Sequence, residues 1–511
     1  MLTWRSLAVL CLSLCLCGAA CAADSPKTGE SVLAARSALV KLACTDSVDS
    51  VYKKPGNLPP LDESRRGDVV RCAQGASISS SALQSALSEA EFTGVEVKSG
   101  VQLYRISYRT QRAVQGADVA SALVAVPLQN TGGAVKGDSQ DLDNAEDRKP
   151  QADDEDKGKR GPVVVYGHGT VPYRQDCGYS RSDPLTATFL GGPDLELRTF
   201  LALAAQGFPV IFPDYAGFVA GSTVSGYMFA EDEAYSVLDA TRAMKKLLEQ
   251  FPDQVALVGH SQGGHAVLAA QSYAQSYGMA GKLAGVVALA PFWAPARAFG
   301  IVIWPPAGYK VTHQDGAVDE VGAYALNTAI EYFYTHSELI DGAGSSKDIL
   351  SFNINNLLGG KGTECNFFPD LTPYGDNGEE LFKPPFAAVG VCAGTGECDD
   401  PLAQKWAERW AKDRPALNPE GAPVLMWQGG ADQVVPTSIA GCAIDKLRAD
   451  LSDKFKVCAD ASADHETIEN HNAAWVIQWI KARAQGAPEP TQTCAPEEVL
   501  EGLDCFVGNF E

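Results

Sequence analysis

The sequence predicts an α/β fold, with a mostly parallel sheet flanked by helices and one large insertion, and three observations carry that reading. First, short apolar runs alternate with helical stretches from residue 162. Strands fall at Val163–Tyr166, Pro209–Pro213, Val255–Val258 and Leu283–Ala290, and helices at 194–206, 230–250 and 263–277. Runs this short and continuously apolar suit strands covered on both faces, as in a parallel sheet. Second, the alternation stops over 292–418, where aromatics, Gly and Pro clusters and helical pieces follow no strand–helix order. Third, it resumes with Pro423–Trp427 (strand), 437–451 (helix), Phe455–Val457 (strand) and 468–483 (helix). Residues 292–418 therefore read as an insertion between two core strands, and a cap over the site is its natural role.

The remaining segments follow in order. Residues 1–23 have the pattern of a signal peptide. Arg5 gives the positive start, Leu7 to Cys17 the apolar stretch, and Ala20-Cys21-Ala22 the small-x-small cleavage site. A membrane anchor needs about 20 apolar residues, more than this run supplies. Cys21 also offers a lipoprotein site, but Gly18 stands where such sites carry a leucine-like residue, so ordinary cleavage is the expectation. Residues 24–94 read as an N-terminal extension, with a helical stretch around Ser31–Cys44, a Pro-rich piece and a Ser-rich helix near 79–91. The core's first part is 95–291. It opens on a hairpin, VQLYRISYRT and VASALVAVPL about a Gly116-Ala117-Asp118 turn. Within it, residues 130–161 contain DNAEDRKPQADDEDKGKRG, a charged run without apolar period that reads as a disordered surface loop. The core's second part is 419–485, and 486–511 is a disulfide-tied tail.

Composition narrows the function. Hydrophobic residues make up 45% and charged residues 20%, the balance of a globular protein. A net charge of −22 argues against nucleic acid as a partner and against anionic membranes, with no stable membrane insertion expected. Of fourteen cysteines, Cys11, Cys15, Cys17 and Cys21 fall in the leader. The other ten form an even set, which in an exported chain points to disulfides. None has C-x-x-C spacing and no histidine joins them at zinc-site intervals, so neither metal nor cofactor is expected. Cys392 and Cys398, and Cys494 and Cys505, are close enough in sequence to be local staples. The expected location is secreted or periplasmic, with anchoring at Cys21 as the alternative.

The chemistry centres on VALVGHSQGGHAVLAA, residues 255–270. A strand ends in Gly259-His260-Ser261-Gln262-Gly263, and an Ala-rich helix follows without a breaker until Gly278. In a chain so rich in glycine, G-x-S-x-G arises by accident about 0.3 times. The strand before it and the helix after it make the pattern a nucleophile elbow, with Ser261 held exposed at a tight turn. Asp432 follows Gly429-Gly430 just past the end of another strand, where chemistry gathers in open α/β sheets. Asp445, Asp460 and Asp464 are weaker rivals, lying in a helix or beside the histidine. His465 sits between a strand and the final helix. His471, its competitor, falls inside that helix near Ile468 and Trp475.

Ser261, Asp432 and His465 give the chain order of an α/β-hydrolase triad. The Gly-rich loop Gly167-His168-Gly169-Thr170 follows the strand expected beside the nucleophile strand. It supplies one oxyanion N–H, from Thr170 with Gly169 as the fallback, and Gln262 supplies the other. His168 and His260 each fill a site-edge position beside a glycine and are not read as metal ligands. The expected reaction is hydrolysis of an acyl ester or lipid through an acyl-enzyme. A feruloyl esterase or a peptidase on this fold would carry the same three residues. A catalytically inactive binding protein would lack one of them.

The motifs YGHGTVPYRQDC, PDYAGF, GHSQGGHAVLAA, LAPFWAP, GGADQVVP and ADHETI occur in the order and spacing of the secretory lipase family. The chain resembles that family over about residues 95–483, and its GHSQGG form is closer to bacterial members than to the type A yeast lipases. The resemblance implies an α/β-hydrolase fold with a large cap, carries the triad onto Ser261, Asp432 and His465, and implies that Cys177 is tied to the cap through Cys365. Asp176-Cys177 matches the family pattern. Gly178-Tyr179-Ser180 departs from its Ala-Pro-Ser.

Overall fold

The computed structural model describes residues 40–114, 116–128, 161–172, 174–189, 191–303, 309–313, 315–359, 365, 369–503 and 505. The leader (1–23), Cys21 and all but the last residue of the acidic loop (130–161) lie outside the described residues.

Among these, nine strands form one sheet: β1 (Val69–Ile78), β2 (Val101–Arg112), β3 (Gly116–Pro127), β4 (Val163–Gly167), β5 (Val210–Ala216), β6 (Gln254–His260), β7 (Lys282–Leu289), β8 (Val424–Gly429) and β9 (Phe455–Asp460). Their order is β1-β2-β3-β5-β4-β6-β7-β8-β9. The β1–β2, β2–β3 and β3–β5 pairs are antiparallel, and every pair from β5 to β9 is parallel. The chain runs from β4 outward to β5 and then returns across β4 to β6. The order therefore reverses between β4 and β6, and a crevice opens at their carboxyl ends. Seven-residue β6 is buried along all but its first residue, as the apolar run requires.

Helices cover both faces. On one side α3 (Ala230–Leu247), α4 (Gln262–Tyr277) and α9 (Thr437–Leu451) bury their apolar stripes with the side chains of alternate strand residues. On the other, α1 (Ser80–Glu89), α2 (Leu195–Ala205) and α10 (Ile468–Gln485) do the same. Local chemistry sets the ends. Asp194 caps α2 by accepting the Leu197 N–H at 3.0 Å, and α4 stops where Gly278 takes φ 80°. Between β7 and β8, residues 292–418 include α5 (Ala296–Ile303), α6 (Glu320–Ile340), α7 (Ala387–Thr395) and α8 (Pro401–Asp413). These helices bury their own apolar cluster, where Phe333 meets Phe386 and Trp406 edge-on, and Tyr227 and Met228 of the core reach into it.

Three sequence expectations need correction. The sheet begins at Val69, within the segment read as an extension, because β1 pairs with β2. Its sequence, VVRCAQGASI, is half-exposed with small and polar residues, as an edge strand tolerates, so it lacks an apolar period. The described end of the stretch around Ser31–Cys44 is not helical: Val40 bridges Leu248, and Cys44 is bonded to Cys72. Cys494 and Cys505 do not pair with each other. Cys494 joins Cys458 on β9, and Cys505 joins Cys442 on α9. The tail runs along the open edge of β9, with the Ala459 N–H donating to the Ala495 carbonyl at 2.9 Å, so sequence neighbours face different partners. Cys177–Cys365 and Cys392–Cys398 are paired. Non-reducing peptide mapping is expected to recover 458–494 and 442–505 cross-linked peptides and no 494–505 peptide.

Candidate active site

The turn after β6 is built by steric exclusion. Ser261 adopts φ 54° and ψ −116°, a conformation that costs of order 1–3 kcal/mol for a residue with a side chain. Its surroundings hold it there. The Ser261 N–H donates to the Leu289 carbonyl at 2.9 Å, and its own carbonyl accepts from His265 and Phe292, both at 3.1 Å. A Cβ on Gly263 would lie 1.9 Å from the Gly167 carbonyl oxygen, and one on Gly259 would lie 2.1 Å from that of Gly263. The two glycines thus let the elbow press against the end of β4.

Asp432 and His465 come together from the ends of β8 and β9. The His465 Nδ1–H donates to Asp432 Oδ2 at 2.8 Å. The other oxygen of that carboxylate accepts the N–H groups of Val434 (2.9 Å) and Val435 (2.8 Å), which fix its orientation. His465 Nε2 is buried and has no hydrogen-bond partner within the protein. Ser261, Asp432 and His465 are each 4–5% exposed. His260, the residue before Ser261, donates its Nε2–H to the His465 carbonyl at 2.7 Å, so the elbow and the histidine loop are neighbours. The rival His471 is exposed and pairs with Asp460 at 3.1 Å, away from this arrangement.

The loop after β4 abuts Ser261. A Cβ on Gly169 would stand 3.5 Å from Ser261 Cβ. The Gly169 N–H is already taken by both oxygens of Glu196, at 3.0 and 2.8 Å, which removes Gly169 as the fallback oxyanion donor. Thr170 lines the same cavity as Ser261, and its hydroxyl is hydrogen-bonded with Tyr227 at 2.9 Å. Gln262 is the first residue of α4, where N–H groups have no partner within the helix. Its side chain donates to Glu233 Oε1 at 2.7 Å. His168 is fully buried in an aromatic box of Tyr179, Phe212, Tyr215 and Phe218, and burial lowers its pKa.

Two cavities meet here. One of 70 Å³ is bounded by Ser261, Thr170, Tyr227, Phe292, Phe299 and Val434. The other, of 270 Å³, shares Thr170, Tyr324 and Val434 with it and reaches the Cys177–Cys365 disulfide, Asp194 and Glu466. Burial pushes Glu196 well above the carboxylate range, with the Asp194 charge adding to it, and pushes Asp194 up to about 6. Sequence reading missed Glu196 and Glu233. Both sit in helices whose other positions pack the core, and nothing in their spacing signals a reach to Gly169 or Gln262.

Replacing Gly263 with Ala is expected to cost at least about 2 kcal/mol, because its new methyl would collide with main chain rather than a flexible side chain. Gly394→Ala, in α7 with nothing within 4 Å of the added carbon, should be neutral or stabilising by up to about 1 kcal/mol. Chemical denaturation of the two variants checks the contrast.

A family model described as the alpha/beta hydrolase family matches residues 187–470. A Legionella pneumophila protein named as a hydrolase is 18% identical in sequence, with a TM-score of 0.58 over 81% of this chain and 98% of its own. Lipase A of Candida antarctica in its closed state is also 18% identical, with a TM-score of 0.56 over 88% of each chain. At such identity these structures share the fold. No curated protein matches the chain in sequence. With more than half its length covered by that model, and with a switch-point crevice holding the elbow, the chain belongs to the alpha/beta hydrolase family.

Proposed function

We propose that the protein is a serine hydrolase of carboxylic esters, with Ser261 as nucleophile, His465 as general base and Asp432 as its orienting carboxylate. The observation that carries this reading is the buried, unpartnered Nε2 of His465, whose Nδ1–H is fixed by Asp432, in a loop bonded to the residue before a strained serine. With Nδ1 protonated, neutral His465 presents a lone pair at Nε2, the form a general base requires. His465 takes the Ser261 proton as Oγ attacks the ester carbonyl. Asp432 stabilises the imidazolium, and His465 returns the proton to the leaving alcohol. Water then enters by the same path and releases the acid from the acyl-enzyme. The N–H groups of Thr170 and Gln262 are the proposed oxyanion donors, each contributing about 3 kcal/mol to the transition state.

The cavities suggest the substrate. A 70 Å³ space with aromatic walls beside Ser261 is far below the roughly 300–1,000 Å³ of a drug-sized pocket, and it suits an acyl group of a few carbons. The adjoining 270 Å³ cleft would take the alcohol portion. Residues 292–418 supply Phe292, Phe299 and Tyr324 to these walls and act as the cap. Export is part of the proposal, since five disulfides join described residues and such bonds persist in oxidising compartments. No helix among the described residues is long and apolar enough to cross a membrane.

A fluorophosphonate probe is expected to add its mass to the Ser261 peptide and to no peptide of Ser261→Ala. His465→Ala should lower kcat by about 10⁴–10⁶-fold, whereas His471→Ala should leave kcat nearly unchanged. Labelling elsewhere, or the reverse order of the two histidines, would reassign the nucleophile or base. Across p-nitrophenyl esters, kcat/KM should peak at short acyl chains. A maximum at long chains would make the enzyme a lipase whose cap opens.

A further inference from the structure

One buried carboxylate touches two segments that flank the proposed machinery, the Gly169 N–H and the His260 ring. Glu196 lies in the first turn of α2 and is 5% exposed. Both its oxygens accept the Gly169 N–H, immediately before Thr170. Its Oε1 lies 3.0 Å from His260 Nδ1, and His260 Nε2–H donates to the His465 carbonyl at 2.7 Å. His260 itself is covalently joined to Ser261. The fit is close: a Cβ at position 169 would stand 2.4 Å from Glu196 Oε1, so a side chain there would have to displace the carboxyl.

We propose that Glu196 is a positioning residue which, through His260, locks the Gly169–Thr170 loop, the Ser261 turn and the His465 loop into one register. The proposal rests on the ester-hydrolase reading above. The Nε2 of His260 must carry a proton, because a carbonyl only accepts. Glu196 and His260 Nδ1 then share one further proton. That proton lies between Glu196 Oε1 and Nδ1, 3.0 Å apart, while Oε2 accepts from Gly169, and burial with the neighbouring Asp194 raises the carboxyl. An unpaired imidazole nitrogen or a free Gly169 N–H here would cost desolvation without return. Three loops from different parts of the chain would then lose their common tether. A shift of about 1 Å at a reacting group lowers turnover by about 100-fold.

Glutamine reproduces this geometry, with its amide N–H on Nδ1 and its oxygen on Gly169. Aspartate keeps the acid but falls one methylene short. The test compares Glu196→Gln, Glu196→Asp and Glu196→Ala with Ser261→Ala on a short p-nitrophenyl ester, with thermal melts of each. Glu196→Gln should keep kcat within about fivefold of the native enzyme. Glu196→Asp and Glu196→Ala should lose about 100-fold in kcat with KM little changed. If alanine does not fold, aspartate carries the comparison. Native kcat in Glu196→Asp, or an equal loss in Glu196→Gln, overturns the clamp while inactive Ser261→Ala leaves the hydrolase reading intact. Full activity in Ser261→Ala overturns that reading itself, and the clamp with it.

Discussion

The main chain of Gly167 and His168 passes so close to Gly263 that no side chain fits between them, and the rest of the site depends on that approach. It brings the end of β4 against the first turn of α4, across the line where strand order reverses. Ser261 is forced into positive φ at the same point, and Gly169 comes to rest beside it. The Ser261 turn, the start of α4 and the Gly169–Thr170 loop therefore meet because backbone meets backbone, which flexible side chains could not enforce as sharply.

Around that contact the protein buries an unusual amount of acid. Glu196 lies behind the Gly169–Thr170 loop, and Glu469 accepts the Tyr166 hydroxyl. On the opposite side Glu233 takes three donors: Gln262 Nε2, the Met228 N–H and His265 Nδ1. Burying carboxylates is costly unless they are neutralised or fully hydrogen-bonded. Here each histidine that flanks the elbow, His260 before it and His265 one turn after, faces one glutamate and donates to a main-chain carbonyl. Both pairs are enclosed, with Glu196, His260, Glu233 and His265 all buried.

The second of these pairs also reaches the inserted helices. His265 Nε2–H donates to the carbonyl of Asp413, the last residue of α8, whose carboxyl is bonded by Tyr332 of α6 at 2.5 Å. Burial pushes Asp413 up to about 7. The insertion is thus joined to α4 by a buried polar contact, and to the loop after β4 by the Cys177–Cys365 bond.

Sequence alone determined the alternation of strands and helices, the elbow at Gly259–Gly263, and the order of Ser261, Asp432 and His465, because these are written in local periodicity and in residues that only a tight turn needs. The Asp432–His465 bond itself joins loops that local pattern could only place at strand ends. Tertiary structure decided the rest. It added β1 to the sheet, since an edge strand needs no continuous apolar run. It paired Cys494 with Cys458 and Cys505 with Cys442, since the tail follows the β9 edge. It also committed the Gly169 N–H to Glu196, because a carboxyl 27 residues away in sequence fills the space that glycine leaves open.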